Sequence, residues 1–177
     1  MLNNLAQELH KKYPELAFDS SFVRGYSEEE IKKIERLYDI EVPSTSQLYS
    51  FLKNMGRCSG GLFGDDTLYF YVQRMTVGGH INVQYLMREE LLELGLINDD
   101  SEKIFFVSRL AETQYFFLKT KSSMMDMIYH YNENTEEINE TGITFYQHID
   151  RILSYGHSEY TCSKEVLIRF SSELVDF

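Results

Sequence analysis

Tryptophan is absent from this chain of 177 residues, which holds only two prolines, two cysteines and ten glycines. So little proline and glycine leaves no room for a long linker or a low-complexity tract. Two cysteines, Cys58 and Cys162, cannot build a disulfide framework, which points to a reducing compartment. Long apolar runs are missing too: none approaches the roughly 18 residues of a membrane-crossing helix. The opening stretch MLNNLAQELHKKYPEL lacks the unbroken apolar centre of a secretory signal. A cytoplasmic protein without membrane contact is the expectation. Positive charge is the other shortage, with 17 Lys+Arg against 28 Asp+Glu and a net charge of −11. Such a field repels phosphate backbones and anionic lipid. Direct nucleic-acid binding is therefore disfavoured, and a basic protein partner is favoured.

Aromatic residues are plentiful: 13 Tyr and 12 Phe supply the apolar surface of one real core and exclude whole-chain disorder. The first sixty residues read as three helices. Leu2, Leu5 and Leu9 mark one face of a short helix that stops before Pro14. Ser27-x-x-Glu30 is a capping box ahead of the stripe Ile31, Ile34 and Tyr38, with Glu28–Lys32 and Glu29–Lys33 as i,i+4 pairs. Ser44-x-x-Gln47 reads as a second box, opening a helix with Leu48, Phe51, Leu52 and Met55. Gly56 is its expected left-handed C-cap. Strands are expected over Thr67–Gln73, Lys103–Ser108, Thr113–Lys119 and Met127–Tyr131. Gly78-Gly79 reads as a turn. Asn82–Leu94 reads as a helix capped by Asn82 and closed by Gly95. Thr144-x-x-Gln147 opens another helix, and Val166, Leu167, Phe170 and Leu174 suggest a last one. Helices at both ends of a run of strands predict a single α+β domain over 1–177, with N-terminal helices, a mostly antiparallel sheet and C-terminal helices.

The run Ser27-Glu28-Glu29-Glu30-Ile31…Glu35…Tyr38-Asp39-Ile40-Glu41-Val42-Pro43…Tyr49-Ser50-Phe51-Leu52…Met55-Gly56 resembles the opening of the SUKH superfamily, the Smi/Knr-type domain. Gly60-Gly61 with Phe63 and Gly64 looks like that family's glycine-bearing entry to the sheet. Thr144-Phe145…Ile149…Ile152-Leu153 is similar to its closing helix. The resemblance spans about residues 24–153, with 155–177 as an extension. It implies a SUKH-like fold and the work of a bacterial immunity protein in a polymorphic-toxin or contact-dependent growth inhibition system. Such a protein binds and neutralises a cognate toxin domain, often a nuclease, and is neither an enzyme nor a cofactor carrier. An intracellular regulatory interaction domain, or less readily a small acidic hydrolase, is the alternative.

The acids are unevenly spread. Residues 1–60 hold 8 basic and 9 acidic side chains, 61–118 hold 4 and 9, and 119–177 hold 5 and 10. Two windows lack Lys and Arg altogether. One contains Glu89, Glu90, Glu93, Asp99, Asp100 and Glu102; the other contains Asp126, Glu133, Glu136, Glu137, Glu140 and Asp150. Each window reads either as solvated surface or as part of an acidic face that meets a basic toxin domain. Asp65-Asp66 fits such a patch or plain turn chemistry. Tyr69, Tyr71, Tyr85, Tyr129 and Tyr131 are candidate aromatic anchors if their strands are half-exposed, and core if they are not.

Other constellations lack the spacing their chemistry requires. Cys58 with His80 has no helix N-terminus behind the thiol to lower its pKa. GRCSGGLFG carries no Lys-Ser/Thr and follows a helix, unlike a phosphate loop. Asp99-Asp100-x-Glu102 lacks the central Gly of a calcium loop. His130 and His148 are isolated, and His157 with Cys162 is one weak pair without a second. No catalytic residue, metal site or cofactor is expected.

Overall fold

The computed structural model describes residues 5–63, 77–98 and 101–155. Four N-terminal elements come first in the chain: helix α1 (Leu5–Lys12), strand β1 (Val23–Arg24), helix α2 (Glu28–Tyr38) and helix α3 (Gln47–Met55). Strand β2 (Cys58–Ser59), helix α4 (Val77–Glu93), strands β3 (Ile104–Leu110), β4 (Gln114–Lys119), β5 (Met127–Asn132) and β6 (Glu137–Thr144), and helix α5 (Phe145–Ser154) follow. β3–β6 form one antiparallel meander in chain order, and β1 pairs with β2. The fold is α+β, as its helix–strand–helix order predicts.

The pleat divides the core in two. Phe105, Val107, Leu118 and Ile128 face α2, α3 and α5, while Ile104, Phe106, Tyr115, Phe117, Tyr129 and Tyr131 face Met87 and Leu91 of α4. The sheet is therefore the middle of three layers. A bulge at Val107 lets Phe106 pair with Phe117 and Ser108 with Phe116, so Val107 and Ser108 turn to the same face. At the outer edge of β3, the buried Gln84 of α4 takes a strand's place. Its Nε2 donates to Phe106 O at 2.7 Å, and its Oε1 accepts from Phe106 N at 2.9 Å.

The capping boxes at Ser27 and Thr144 are both formed, each with its side chain and its N3 partner reciprocally bonded. Glu28 does not serve Lys32 as its ion pair. It reaches α3 instead, where Lys53 lies at 2.9 Å and Tyr49 donates a short hydrogen bond.

The box at Ser44 is corrected: Ser46 is the N-cap, accepting from Tyr49 N at 3.0 Å. Pro43 O accepts from Ser46 N, so Ser44 is spent in a turn, and Gln47 becomes the first helical residue. Gly56 does cap α3, its N–H donating to Leu52 O at 3.2 Å, but the expected left-handed form is corrected. Its φ is −62°, right-handed, and the left-handed helix end belongs to Asp39 at φ 51°. Glycine at 56 reflects close approach instead, because a Cβ there would stand 2.9 Å from the Tyr26 ring.

Gly78-Gly79 is no turn. Both lie inside α4, which starts five residues before Asn82, the expected cap. Burial of Gln84, Met87 and Leu91 against the sheet outweighs the roughly 1 kcal/mol that each glycine costs a helix interior. Gly95, at φ 66°, does end the helix region. The expected strand at 67–73 and the helix around 166–174 lie outside the described residues. No helix among the described residues is long and apolar enough to cross a membrane.

Candidate functional site

Three tyrosines line the α4 face of the sheet: Tyr115 on β4 and Tyr129 and Tyr131 on β5. Tyr131 is completely buried, and its hydroxyl donates to Glu90 Oε1 on α4 at 2.6 Å. Burial pushes this phenol's pKa far up, and the Glu90 hydrogen bond together with the nearby charges of Glu133 and Glu136 pushes it further. Tyr115 donates to Glu112 O at 3.2 Å. Its pKa is also raised, first by burial and then by Glu133, with Arg109 opposing.

Tyr129 stands opposite Glu140 of β6 in the ladder, so the two share a face. The Lys119 ammonium lies 4.8 Å from the Tyr129 ring centre and 2.7 Å from Glu102 Oε1. Burial raises the Tyr129 pKa, Lys119 opposes that shift, and Glu140 and Glu102 add to it.

The two acidic windows, about twenty residues apart in the chain, therefore act on the same face. Glu90 from the first holds the Tyr131 hydroxyl, on which the charges of Glu133 and Glu136 from the second also act, and Glu102 and Glu140 both act on Tyr129, Glu102 through its pair with Lys119. Glu89 and Glu93 are exposed on α4 beside Glu90. Glu137 is exposed but sits opposite Asn132, so the pleat sends it to the other face of the sheet. Asp150 leaves the patch altogether: it pairs with Lys12 at 2.5 Å and accepts from the Tyr13 hydroxyl at 2.8 Å. Asp126 is likewise structural, accepting from Gln47 N at 2.8 Å. Asp65, Asp66, Tyr69, Tyr71, Asp99 and Asp100 lie outside the described residues.

Of the two readings open for Tyr129 and Tyr131, anchor or core, the structure gives core. They are 6% and 0% exposed because they point at α4. Tyr85 is 46% exposed, and Leu86 beside it is 63% exposed. Sequence pattern missed Leu86, since any leucine in a helix reads as core until the buried face is known.

Sequence reading also missed a serine–histidine pair. Ser108 Oγ lies 2.7 Å from His148 Nε2. Both residues are buried, and the His148 ring packs against Phe116 at 4.8 Å. Burial pulls the imidazole pKa down to about 4, with Arg151 adding to the effect. This pair satisfies a polar group that the bulge turned into the core. Cys58 is also buried, and burial raises its thiol pKa. Among the described residues, no three His, Cys, Asp or Glu side chains gather to hold a metal ion. A cleft of about 270 Å³ between α1 and α5 is walled by Leu5, Leu9, Tyr146 and Ile149. No family model, curated protein or solved structure matches the chain.

Proposed function

We propose that this chain is an immunity protein of SUKH type that binds and neutralises a cognate toxin domain with a basic surface. The observation that carries the electrostatic half is that acids of both windows share the α4 face, Glu90 on the Tyr131 hydroxyl and Glu140 opposite Tyr129, with Lys119 offsetting Glu102 there. Folding would not bring like charges together for its own sake, since mutual repulsion costs stability. A face of this kind attracts a cationic partner and competes with the phosphates that a nuclease would bind. The resemblance over residues 24–153 supplies the other half, the toxin system. The cytoplasm is the proposed place of action, because the toxin must be met where it does its damage.

The reading expects a large secreted protein to be encoded beside this chain, and the experiment is co-expression of the full chain with that protein's C-terminal domain, followed by size-exclusion chromatography; a neighbourhood with no such gene would itself count against the reading. Co-elution with rescued growth is the expected result. No complex and no rescue would overturn the reading.

A further inference from the structure

Helix α4 breaks a rule that the other helices keep. Among the described residues, α1 ends on His10, Lys11 and Lys12, α2 on Arg36, α3 on Lys53 and α5 on Arg151. Those cations complement the negative end of each helix dipole. The last turn of α4 has no basic residue. Glu89, Glu90 and Glu93 occupy its final turns, and Glu89–Glu93 is a like-charge i,i+4 pair. Both features act against the helix. Glu90 is compensated by the Tyr131 hydroxyl, but Glu89 and Glu93 are exposed. Arg88, the helix's one arginine, reaches away to Asp39 at 3.3 Å, where Lys103 also binds at 2.5 Å.

The same outer stripe carries an apolar pair. Asn82, Tyr85, Leu86, Glu89 and Glu93 are all exposed, and Leu86 and Tyr85 stand one turn before Glu89. A lone exposed leucine needs no explanation. This one borders acids held where they cost the helix stability, and local rules are broken in this way where function demands it.

We propose that this stripe of α4 is the anchor of the toxin interface: Leu86 enters an apolar hollow on a cationic protein domain whose Lys or Arg side chains pair with Glu89 and Glu93, while Tyr85, its hydroxyl donating to Leu37 O at 3.4 Å, offers only its exposed ring face beside it. The inference rests on the immunity reading and deepens it by naming the contact. Charge complementarity selects the occupant. A second copy of this chain brings the same acids to the face, and a nucleic acid brings phosphates, so each is repelled.

The test measures binding rates of the full chain with the toxin domain that co-elutes with it in the co-expression experiment above. Leu86→Ala is expected to raise the dissociation rate about tenfold or more, as truncation of a central anchor does. Glu89→Gln with Glu93→Gln is expected to slow association by about 3–10-fold at low salt. The same double change should raise the thermal midpoint of the free chain by about 2–4 °C, through relief of the dipole and like-charge costs. Glu15→Gln with Glu137→Gln, one in the turn after α1 and the other on the opposite face of the sheet, should change neither the rates nor the midpoint. Unaltered rates for Leu86→Ala in a complex that does form would overturn the anchor and leave the immunity reading standing. A midpoint that fails to rise would overturn the claim that these acids are held against stability. Absence of any complex with the unaltered chain would overturn the immunity reading and this inference together.

Discussion

His148 shows how one backbone irregularity dictates a side chain. The bulge at Val107 turns Ser108 inward, its hydroxyl needs a partner, and His148 supplies one at 2.7 Å while remaining neutral. A histidine whose pKa drops from 6.5 to about 4 on folding makes stability pH-dependent. The unfolded chain takes up the proton near pH 6.5 and the folded one only near pH 4. The contribution is thus complete above pH 6.5, falls as pH drops through that window, and is gone below it. By linkage the loss is about 3 kcal/mol. Urea titrations at pH 7 and pH 4.5 should show it, and Ser108→Ala with His148→Leu should flatten the slope between those values. The depressed carboxylates Asp39 and Asp150, each held first by a lysine hydrogen bond, act at lower pH. Gln84 makes a comparable demand, since its amide closes both polar groups of Phe106. Gln84→Leu leaves these backbone groups buried without partners, at a cost of about 2–4 kcal/mol measurable by denaturant unfolding.

At the scale of the element, the caps distinguish what sequence can reveal from what it cannot. Ser27-x-x-Glu30 and Thr144-x-x-Gln147 form as read, because a capping box is a local contract between four residues. Ser44-x-x-Gln47 has the same pattern and fails, because Gln47 is committed to distant chain: its Oε1 accepts from Tyr146 N, and its own N–H is taken by Asp126. Ser46→Ala should therefore cost about 1 kcal/mol in thermal or urea unfolding, while Ser44→Ala should lie within about 0.5 kcal/mol of the parent. The same logic explains the strands. Aromatic runs announced β3, β4 and β5, but β6 reads Glu-Ile-Asn-Glu-Thr-Gly-Ile-Thr and hides as polar turn, because an edge strand needs little apolar surface. For α4, the period of Val83, Met87 and Leu91 was legible, but its start was not. Two glycines inside a helix are tolerated here through contacts with a sheet that lies later in the chain.

Across the whole molecule, charge was legible as a tally and illegible as a surface. The two windows were visible in the sequence, yet their meeting depends on α4 lying over β4 and β5, which no local pattern states. The same fold removes residues that the tally counted: Asp126 caps, Asp150 pairs with Lys12, and Glu137 turns to the opposite face. The acids that remain near Tyr131 and Tyr129 set the long-range field on the proposed toxin. Such a field acts on encounter, so its effect belongs in the association rate and should fade as salt shortens the Debye length from about 30 Å at 0.01 M to about 8 Å at 0.15 M. The association rate is expected to fall at least tenfold over that range while dissociation changes little. Glu133→Gln with Glu136→Gln should reduce both the low-salt rate and its salt slope, whereas Glu137→Gln alone should leave them nearly unchanged. A slope that responds equally to Glu137 and to the Glu133–Glu136 pair would mean that net charge, and not this face, steers the partner. Stopped-flow association across that salt series separates the two, because net charge is blind to position and a face is not.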